Sequence, residues 1–103
     1  MHLQGMKESI LQKSIIDYLA LKGYIAFKVP AGLIKTGERF VRLGTAGTAD
    51  IIACSPAGRF IAIECKLKGN KPTPLQLDFL DRIHQKNGIA IVAFSIDDVI
   101  KML

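Results

Sequence analysis

Two neighbouring apolar segments of strand length constrain the fold of this chain more than any other feature. Residues 51–54 and 60–67 are rich in isoleucine, alanine and other apolar residues, and a Ser-Pro-Ala-Gly sequence at residues 55–58 separates them. Apolar runs of this length on either side of a Pro/Gly turn predict a β-hairpin.

Charged residues interrupt this hairpin. Asp50 directly precedes the first segment, and Glu64 and Lys66 lie within the second. Because side chains alternate along a strand, Glu64 and Lys66 share one face. A register that pairs Asp50 with Glu64 also pairs Cys54 with Phe60, and it leaves a connecting loop of a length that hairpins commonly use.

This register predicts a metal site. It brings two carboxylates to roughly 4.5–5.5 Å apart at Cβ, with Lys66 beside them. Like charges at that distance repel unless a cation or a shared proton intervenes, and carboxylate oxygens suit Mg²⁺ or Mn²⁺. The alternative is that Asp50 simply follows a loop while Glu64 and Lys66 form a solvated ion pair on an edge strand. Both faces of the hairpin are largely apolar, which favours the metal site.

Composition indicates a basic globular protein. Half of the 103 residues are hydrophobic, so we expect a single domain over residues 1–103, with the patternless residues 1–5 as a loose extension. Fourteen Lys and Arg against nine Asp and Glu give a net charge of +5, which suits a polyanionic partner. No apolar run reaches membrane-spanning length and no signal sequence opens the chain, so we expect a soluble cytoplasmic protein.

Several basic residues are candidate nucleic-acid contacts: Lys28, Lys35, Arg39, Arg42, Lys68 and Lys71. Arg39 and Arg42 can equally be solvated edge charges.

The two cysteines are predicted to lie on opposite faces of the hairpin, so they should not form a disulfide. They also lack the spacing of a zinc site.

The remaining pattern predicts helices around the hairpin. Apolar spacing indicates a helix over residues 7–22 that ends at Gly23, and Thr73 with Pro74 opens another that ends near Lys86. Residues 33–38 are expected to be a loop. The predicted order is helix, four strands, helix, strand, helix, with the strands at residues 24–29, 39–43, 50–54, 60–67 and 89–94 and the last helix at 97–103.

Two polar residues on these helices have alternative interpretations. Glu8 lies one turn before Leu11 on the inward face of the first helix, either as a partner of the helix dipole or as a residue directed into a site between helix and sheet. Gln76 lies in the first turn of the second long helix, where a solvent-facing glutamine is the ordinary interpretation.

This element order, with Asp50 followed by Glu64-Cys65-Lys66 on the next strand, closely resembles the PD-(D/E)XK nuclease superfamily. The sequence Gly47-Thr48-Ala49-Asp50 and the helical Gln76 more specifically resemble the virus-type replication-repair nuclease (VRR-NUC) family. One departure is Ala49, because the superfamily pattern has proline before the aspartate. The resemblance implies an α/β, restriction-endonuclease-like fold with a central mixed β-sheet flanked by helices.

The resemblance also implies residue roles in metal-dependent phosphodiester hydrolysis. Asp50, Glu64 and the backbone carbonyl of Cys65 would hold Mg²⁺ or Mn²⁺, and Lys66 would orient water or stabilise negative charge. Gln76 would position water or phosphate, and Glu8 would bind a second metal ion or its water shell. No small-molecule cofactor is expected.

The expected function is structure-selective cleavage of branched DNA by a homodimer, as in a Holliday-junction resolvase of bacterial or phage origin. An alternative with the same chemistry is a nickase or flap nuclease within a larger replication or restriction assembly. A nucleic-acid-binding module of the same fold without turnover, and a basic ribonucleoprotein component, are alternatives of a different class.

Overall fold

A computed structural model of the protein describes residues 3–30, 33–42 and 47–103. Its element order is αβββββαβα, with one strand more than the sequence pattern predicts. The elements are α1 (Leu3–Leu21), β1 (Ile25–Lys28), β2 (Leu33–Thr36), β3 (Arg39–Arg42), β4 (Ile51–Cys54), β5 (Phe60–Cys65), α2 (Pro74–Gln85), β6 (Ile89–Ala93) and α3 (Ile96–Met102).

Four strands form the central sheet in the order β1-β4-β5-β6. β4 is antiparallel to both β1 and β5, whereas β5 and β6 are parallel, so the sheet is mixed as expected. One face packs against α1 and α3 through Ile15, Leu19 and Val99, and the other packs against α2 through Leu80. β5 is buried along most of its length because helices cover both of its faces.

The additional strand is β2, in a region where the sequence pattern predicts a loop. β2 pairs with β3 in a separate antiparallel hairpin, so β3 is not part of the central sheet. The turn consists of Gly37 and Glu38, and Gly37 has φ +65°. Two-residue turns with glycine at the first position match the twist of paired strands, which explains why a hairpin forms here. The available sequence signal for this hairpin was the Gly37-Glu38 pair, which lies between two short runs of apolar and basic residues.

Helix α1 begins earlier than predicted. It includes residues 3–5, which the sequence pattern assigns to a loose extension. Leucine and glutamine are good helix formers, and the one glycine among them costs only about 1 kcal/mol relative to alanine, so the helix continues through it. The end of the helix is as predicted: Gly23 has φ +85°, and the Tyr24 amide donates to the Leu19 carbonyl over 2.9 Å. Both features are typical of a Schellman motif.

Helix α2 begins with a capping box. Thr73 is the N-cap, its hydroxyl accepts from the Gln76 amide at 3.2 Å, and the Gln76 side chain accepts from the Thr73 amide at 2.8 Å. The predicted start at Pro74 is confirmed. Apolar residues at helical spacing, Leu75, Phe79, Leu80 and Ile83, predict the core-facing stripe of this helix. The prediction is wrong for Leu75, which is 59% exposed, whereas Leu80 is buried. None of the helices described is both long and apolar enough to cross a membrane.

Gly47 allows the segment before β4 to lie directly against α2. It has φ +81°, and a Cβ atom there would lie 2.3 Å from the Leu75 carbonyl oxygen. Gly44 and Gly47 together predict a close-turning segment before Asp50, and Gly44 lies outside the described residues. The close approach at Gly47 is to the first turn of α2, and it fixes the path of the chain into Asp50.

We expect Gly47→Ala to destabilise the protein more than Gly58→Ala does. Gly58 has nearly the same φ, +85°, but a Cβ atom there would meet nothing within 4 Å. The left-handed conformation should cost about 1–2 kcal/mol in both variants, and overpacking should add about 1–3 kcal/mol at Gly47 alone. Urea denaturation of the two variants measures this difference, and equal free energies of unfolding would contradict the packing described.

Candidate active site

The β4–β5 register places Asp50 beside Glu64. Cys54 pairs with Phe60 and Ile51 pairs with Ile63, which confirms the predicted register. Continued by one residue, it sets Asp50 opposite Glu64, close enough that the charge of Asp50 acts on the Glu64 carboxyl group. The Asp50 carbonyl accepts from the Val29 amide at 2.8 Å, which holds this residue at the end of the sheet.

Glu64 is an acidic residue in the protein interior. It is only 1% exposed, and its Oε1 atom is buried without a hydrogen-bond partner. Burial, followed by the negative charge of Asp50, raises the pKa of Glu64 from 4.5 to about 8. A carboxylate in this position is stabilised by a proton or a cation, so Glu64 has the properties of a metal ligand.

Lys66 and the backbone of Cys65 complete the immediate surroundings. Lys66 Nζ lies 3.5 Å from Glu64 Oε2, and the lysine side chain is 16% exposed. The Cys65 amide donates to Asp50 Oδ2 at 2.8 Å. Because the N–H and C=O of one strand residue point to the same neighbouring strand, the Cys65 carbonyl also lies on the Asp50 side.

These groups fit a hard divalent cation. Two carboxylates and a backbone carbonyl are oxygen ligands of the kind that Mg²⁺ and Mn²⁺ bind, and the Oε1 atom of Glu64 lacks a partner. In the part of the chain that the structure describes, no group of three or more His, Cys, Asp or Glu side chains is placed to hold one metal ion. A cation at Asp50 and Glu64 would therefore take its remaining ligands from backbone, water or substrate.

Glu8 lies on the opposite face of the sheet from Glu64. It is half-buried on α1, close enough to Cys65 that its charge contributes to raising the pKa of that thiol. Burial is the largest cause of that increase, followed by Asp50 and Glu64, and together they raise the thiol pKa to about 12. Glu8 therefore approaches the site from the α1 side without joining the carboxylate pair directly.

Gln76 has a structural role in the capping box of α2, for which the Thr-x-x-Gln sequence at residues 73–76 was the available signal. Its Oε1 atom accepts from the Thr73 amide, so the capping box already uses one polar atom of the side chain. The side chain is half-buried rather than solvent-facing, and the close contact at Gly47 brings the chain before Asp50 against this same turn of α2.

Gln12 is a buried polar residue of α1 that the sequence pattern does not single out. It lies one turn after Glu8 on α1 and is only 7% exposed, in line with the buried residues Ile15 and Leu19. Its Oε1 atom is buried and has no hydrogen-bond partner. The available signal was a polar residue at helical spacing between Glu8 and Ile15, within the stripe that faces the sheet.

The candidate nucleic-acid contacts are only partly near the carboxylates. Lys28 ends β1 next to Val29, and Lys68 and Lys71 follow β5 in the loop that leads to α2; all three are exposed. Exposed Arg39 lies in the separate β2–β3 hairpin, as do Lys35 and Arg42.

The two cysteines are both free, as expected.

Comparisons with known proteins agree with this geometry. A solved structure described as a VRR_NUC domain matches with a TM-score of 0.67 and 24% sequence identity, over 92% of this chain and 91% of that one. A phage protein named "Putative nuclease p44", from Acyrthosiphon pisum secondary endosymbiont phage 1, is 33% identical over 72 residues. That alignment covers 70% of this chain and 66% of the relative, slightly less than two-thirds of its length. No protein-family model matches the chain.

The chain is therefore an α/β protein with a restriction-endonuclease-like fold. The fold is the one that the predicted resemblance to the VRR-NUC family implies, since it is shared with the VRR_NUC domain, and the similar phage protein is named as a nuclease.

We expect the metal-free protein to lose stability as the pH rises. The folded state holds the Glu64 proton up to about pH 8, whereas the unfolded chain releases it near 4.5. The stabilisation that protonated Glu64 gives the folded state is therefore complete below pH 4.5. It is lost as the pH rises through about 8. The loss should be roughly 2–3 kcal/mol between about pH 6 and pH 9.

Urea denaturation in a chelating buffer measures this dependence. Glu64→Gln should remove most of the decline, because the amide carries no charge to bury. Glu38→Gln, at an exposed position, is the matched control and should follow the wild-type curve. Parallel pH curves for wild type and Glu64→Gln would contradict the assignment of the decline to Glu64.

Proposed function

We propose that this protein is a metal-dependent, structure-selective DNA endonuclease that hydrolyses phosphodiester bonds. The observation that carries the proposal is the buried Glu64, which lies opposite Asp50 in the continued β4–β5 register and 3.5 Å from Lys66. A pair of carboxylates held together in the interior, with a lysine beside them, needs a cation and can present it to a phosphate. The similarity to a VRR_NUC domain and to a protein named as a nuclease supports the same chemistry.

In this proposal Asp50, Glu64 and the Cys65 carbonyl bind Mg²⁺ or Mn²⁺. The bound cation would polarise a phosphate oxygen and acidify water. The Cys65 amide, by donating to Asp50 Oδ2, fixes the orientation of that carboxylate. Lys66 keeps its ammonium group beside Glu64, where it can stabilise the negative charge that develops on phosphate or orient the attacking water.

Gln76 and Glu8 have supporting roles in the proposal. The Gln76 side chain, anchored by the capping box, would position water or phosphate at the first turn of α2. Glu8, on the α1 side, would bind a second metal ion or its water shell.

We infer that the substrate is branched DNA and that the enzyme acts as a homodimer. The described residues form the sheet, its flanking helices and one small hairpin, so we propose that DNA is recognised by its shape rather than by its sequence. A four-way junction carries two symmetric cleavage points, and a two-fold dimer supplies one active site to each. Holliday-junction resolution is therefore the form of the activity that we propose.

Cleavage assays with matched variants test the proposal. Asp50→Asn, Glu64→Gln and Lys66→Ala should each reduce cleavage by about 100-fold or more, because each removes a group that holds or assists the cation. Asp17→Asn and Lys13→Ala make the same chemical changes in an exposed ion pair on α1 and should leave cleavage unchanged. A Glu64→Gln protein with wild-type cleavage would contradict the site.

The substrate preference is tested with a four-way junction, a flap, a linear duplex and a single strand. Paired symmetric nicks in the junction alone would support a dimeric resolvase. Metal-dependent cleavage of all substrates would retain the nuclease but favour a component of a larger assembly. Binding without cleavage in either Mg²⁺ or Mn²⁺ would favour the non-catalytic module instead.

We expect the loop after β5 to contact DNA phosphates. Lys68 and Lys71 are exposed and follow directly from the strand that carries Glu64 and Lys66. In a Glu64→Gln background, which allows binding without cleavage, Lys68→Ala with Lys71→Ala should lower the slope of log K against log salt by about 2. Lys13→Ala with Lys101→Ala, two exposed lysines on α1 and α3, is the control. An unchanged slope in the Lys68/Lys71 variant would exclude phosphate contacts there.

A further inference from the structure

Only two buried side-chain atoms of the described residues lack a hydrogen-bond partner, and both are acceptors: Glu64 Oε1 and Gln12 Oε1. A buried acceptor without a donor costs free energy, so each such atom calls for a missing partner. The cation of the proposed function would supply the partner of Glu64. Gln12 lies on α1, which packs on the opposite face of the sheet from the Glu64 side chain, so its Oε1 atom needs a donor of its own.

The position of Gln12 directs it toward the site. It lies one turn from Glu8 on the α1 stripe that packs on the sheet, and Glu8 is close enough to the Cys65 thiol to affect its pKa. Side chains on a helix lean toward its N-terminus. We therefore expect the Gln12 amide to point toward the turn of α1 that carries Glu8, and Glu8 lies near Cys65, whose backbone amide donates to Asp50.

We propose that Gln12 is a positioning residue whose Oε1 atom accepts a hydrogen bond from a water molecule of the metal ion's hydration shell. This water molecule would lie between α1 and the end of β5. This inference rests on the proposed function, because it requires a cation at Asp50 and Glu64. It assigns to α1 a second polar residue beside Glu8, at the place where the helix meets the site. Groups that orient the surroundings of a metal ion in this way commonly affect its affinity by about 10- to 100-fold.

Gln12 could instead have a purely structural role in helix packing, and stability distinguishes the two roles. Gln12→Met keeps a similar length and an unbranched shape but has no amide oxygen. If the oxygen serves the hydrated cation, its removal from the metal-free protein eliminates an unpaired buried acceptor, so the urea midpoint in chelator should remain the same or increase. A lower midpoint would assign Gln12 to packing and would overturn the proposal.

The decisive measurement is Mn²⁺ affinity by titration calorimetry. We expect Gln12→Met to weaken Mn²⁺ binding by about 10-fold or more, and Gln12→Glu, which keeps an acceptor oxygen at the same reach, to remain within about threefold of wild type or to bind more tightly. Gln85→Met, the same change at an exposed position on α2, should leave the affinity unchanged. Wild-type affinity in Gln12→Met, or equal weakening in Gln12→Met and Gln12→Glu, would overturn the proposal.

The failure of this inference is distinguishable from the failure of the proposed function. If wild type binds Mn²⁺ and Glu64→Gln does not, the metal site holds, and the Gln12 variants alone decide the inference. If wild type shows no Mn²⁺ binding that depends on Asp50 and Glu64, both are overturned.

Discussion

The repulsion between the Asp50 and Glu64 carboxylates is the constraint on which the rest of this structure depends. Glu64 lies on β5 and Asp50 directly precedes β4, where the antiparallel ladder ends, and Glu64 is almost entirely buried. The raised pKa of Glu64 follows directly from that burial and that neighbour. Such an arrangement destabilises the folded protein at high pH, where Glu64 loses its proton, and the cation that we propose would relieve this effect.

The surrounding backbone holds this unfavourable pair in place. The register partner of Cys65 would be Ala49, which precedes β4, so the Cys65 amide donates to the Asp50 side chain instead of to a strand neighbour. On the other side, the Val29 amide binds the Asp50 carbonyl. Gly47 then allows the incoming chain to pack on α2. Asp50 is thus fixed by its side chain, by its main chain and by the path of the preceding loop.

The sequence was sufficient for the features that depend on local pattern. Strand alternation and a Pro/Gly turn determined the β4–β5 register, and the capping residues determined the start of α2. The β2–β3 hairpin was missed because its strands are short and basic and the Gly37 turn is a weak signal next to a region that looks like a loop. Gln12 was missed for a different reason: periodicity identifies a buried stripe but not which polar residue within it lacks a partner. The capping role of Gln76 was readable from the Thr-x-x-Gln sequence at residues 73–76, but this residue was considered only as solvent-facing or as part of the site.

The central claim, that a cation replaces a proton on the Asp50–Glu64 pair, is tested most directly by counting protons released when Mn²⁺ binds. Titration calorimetry in buffers of different ionisation enthalpy gives this number. Since Glu64 has a pKa of about 8, the account predicts release of about one proton per ion near neutral pH, a decrease toward zero above that pKa, and no such release from Glu64→Gln. Mn²⁺ binding without proton release, or the same release from wild type and Glu64→Gln, would contradict it.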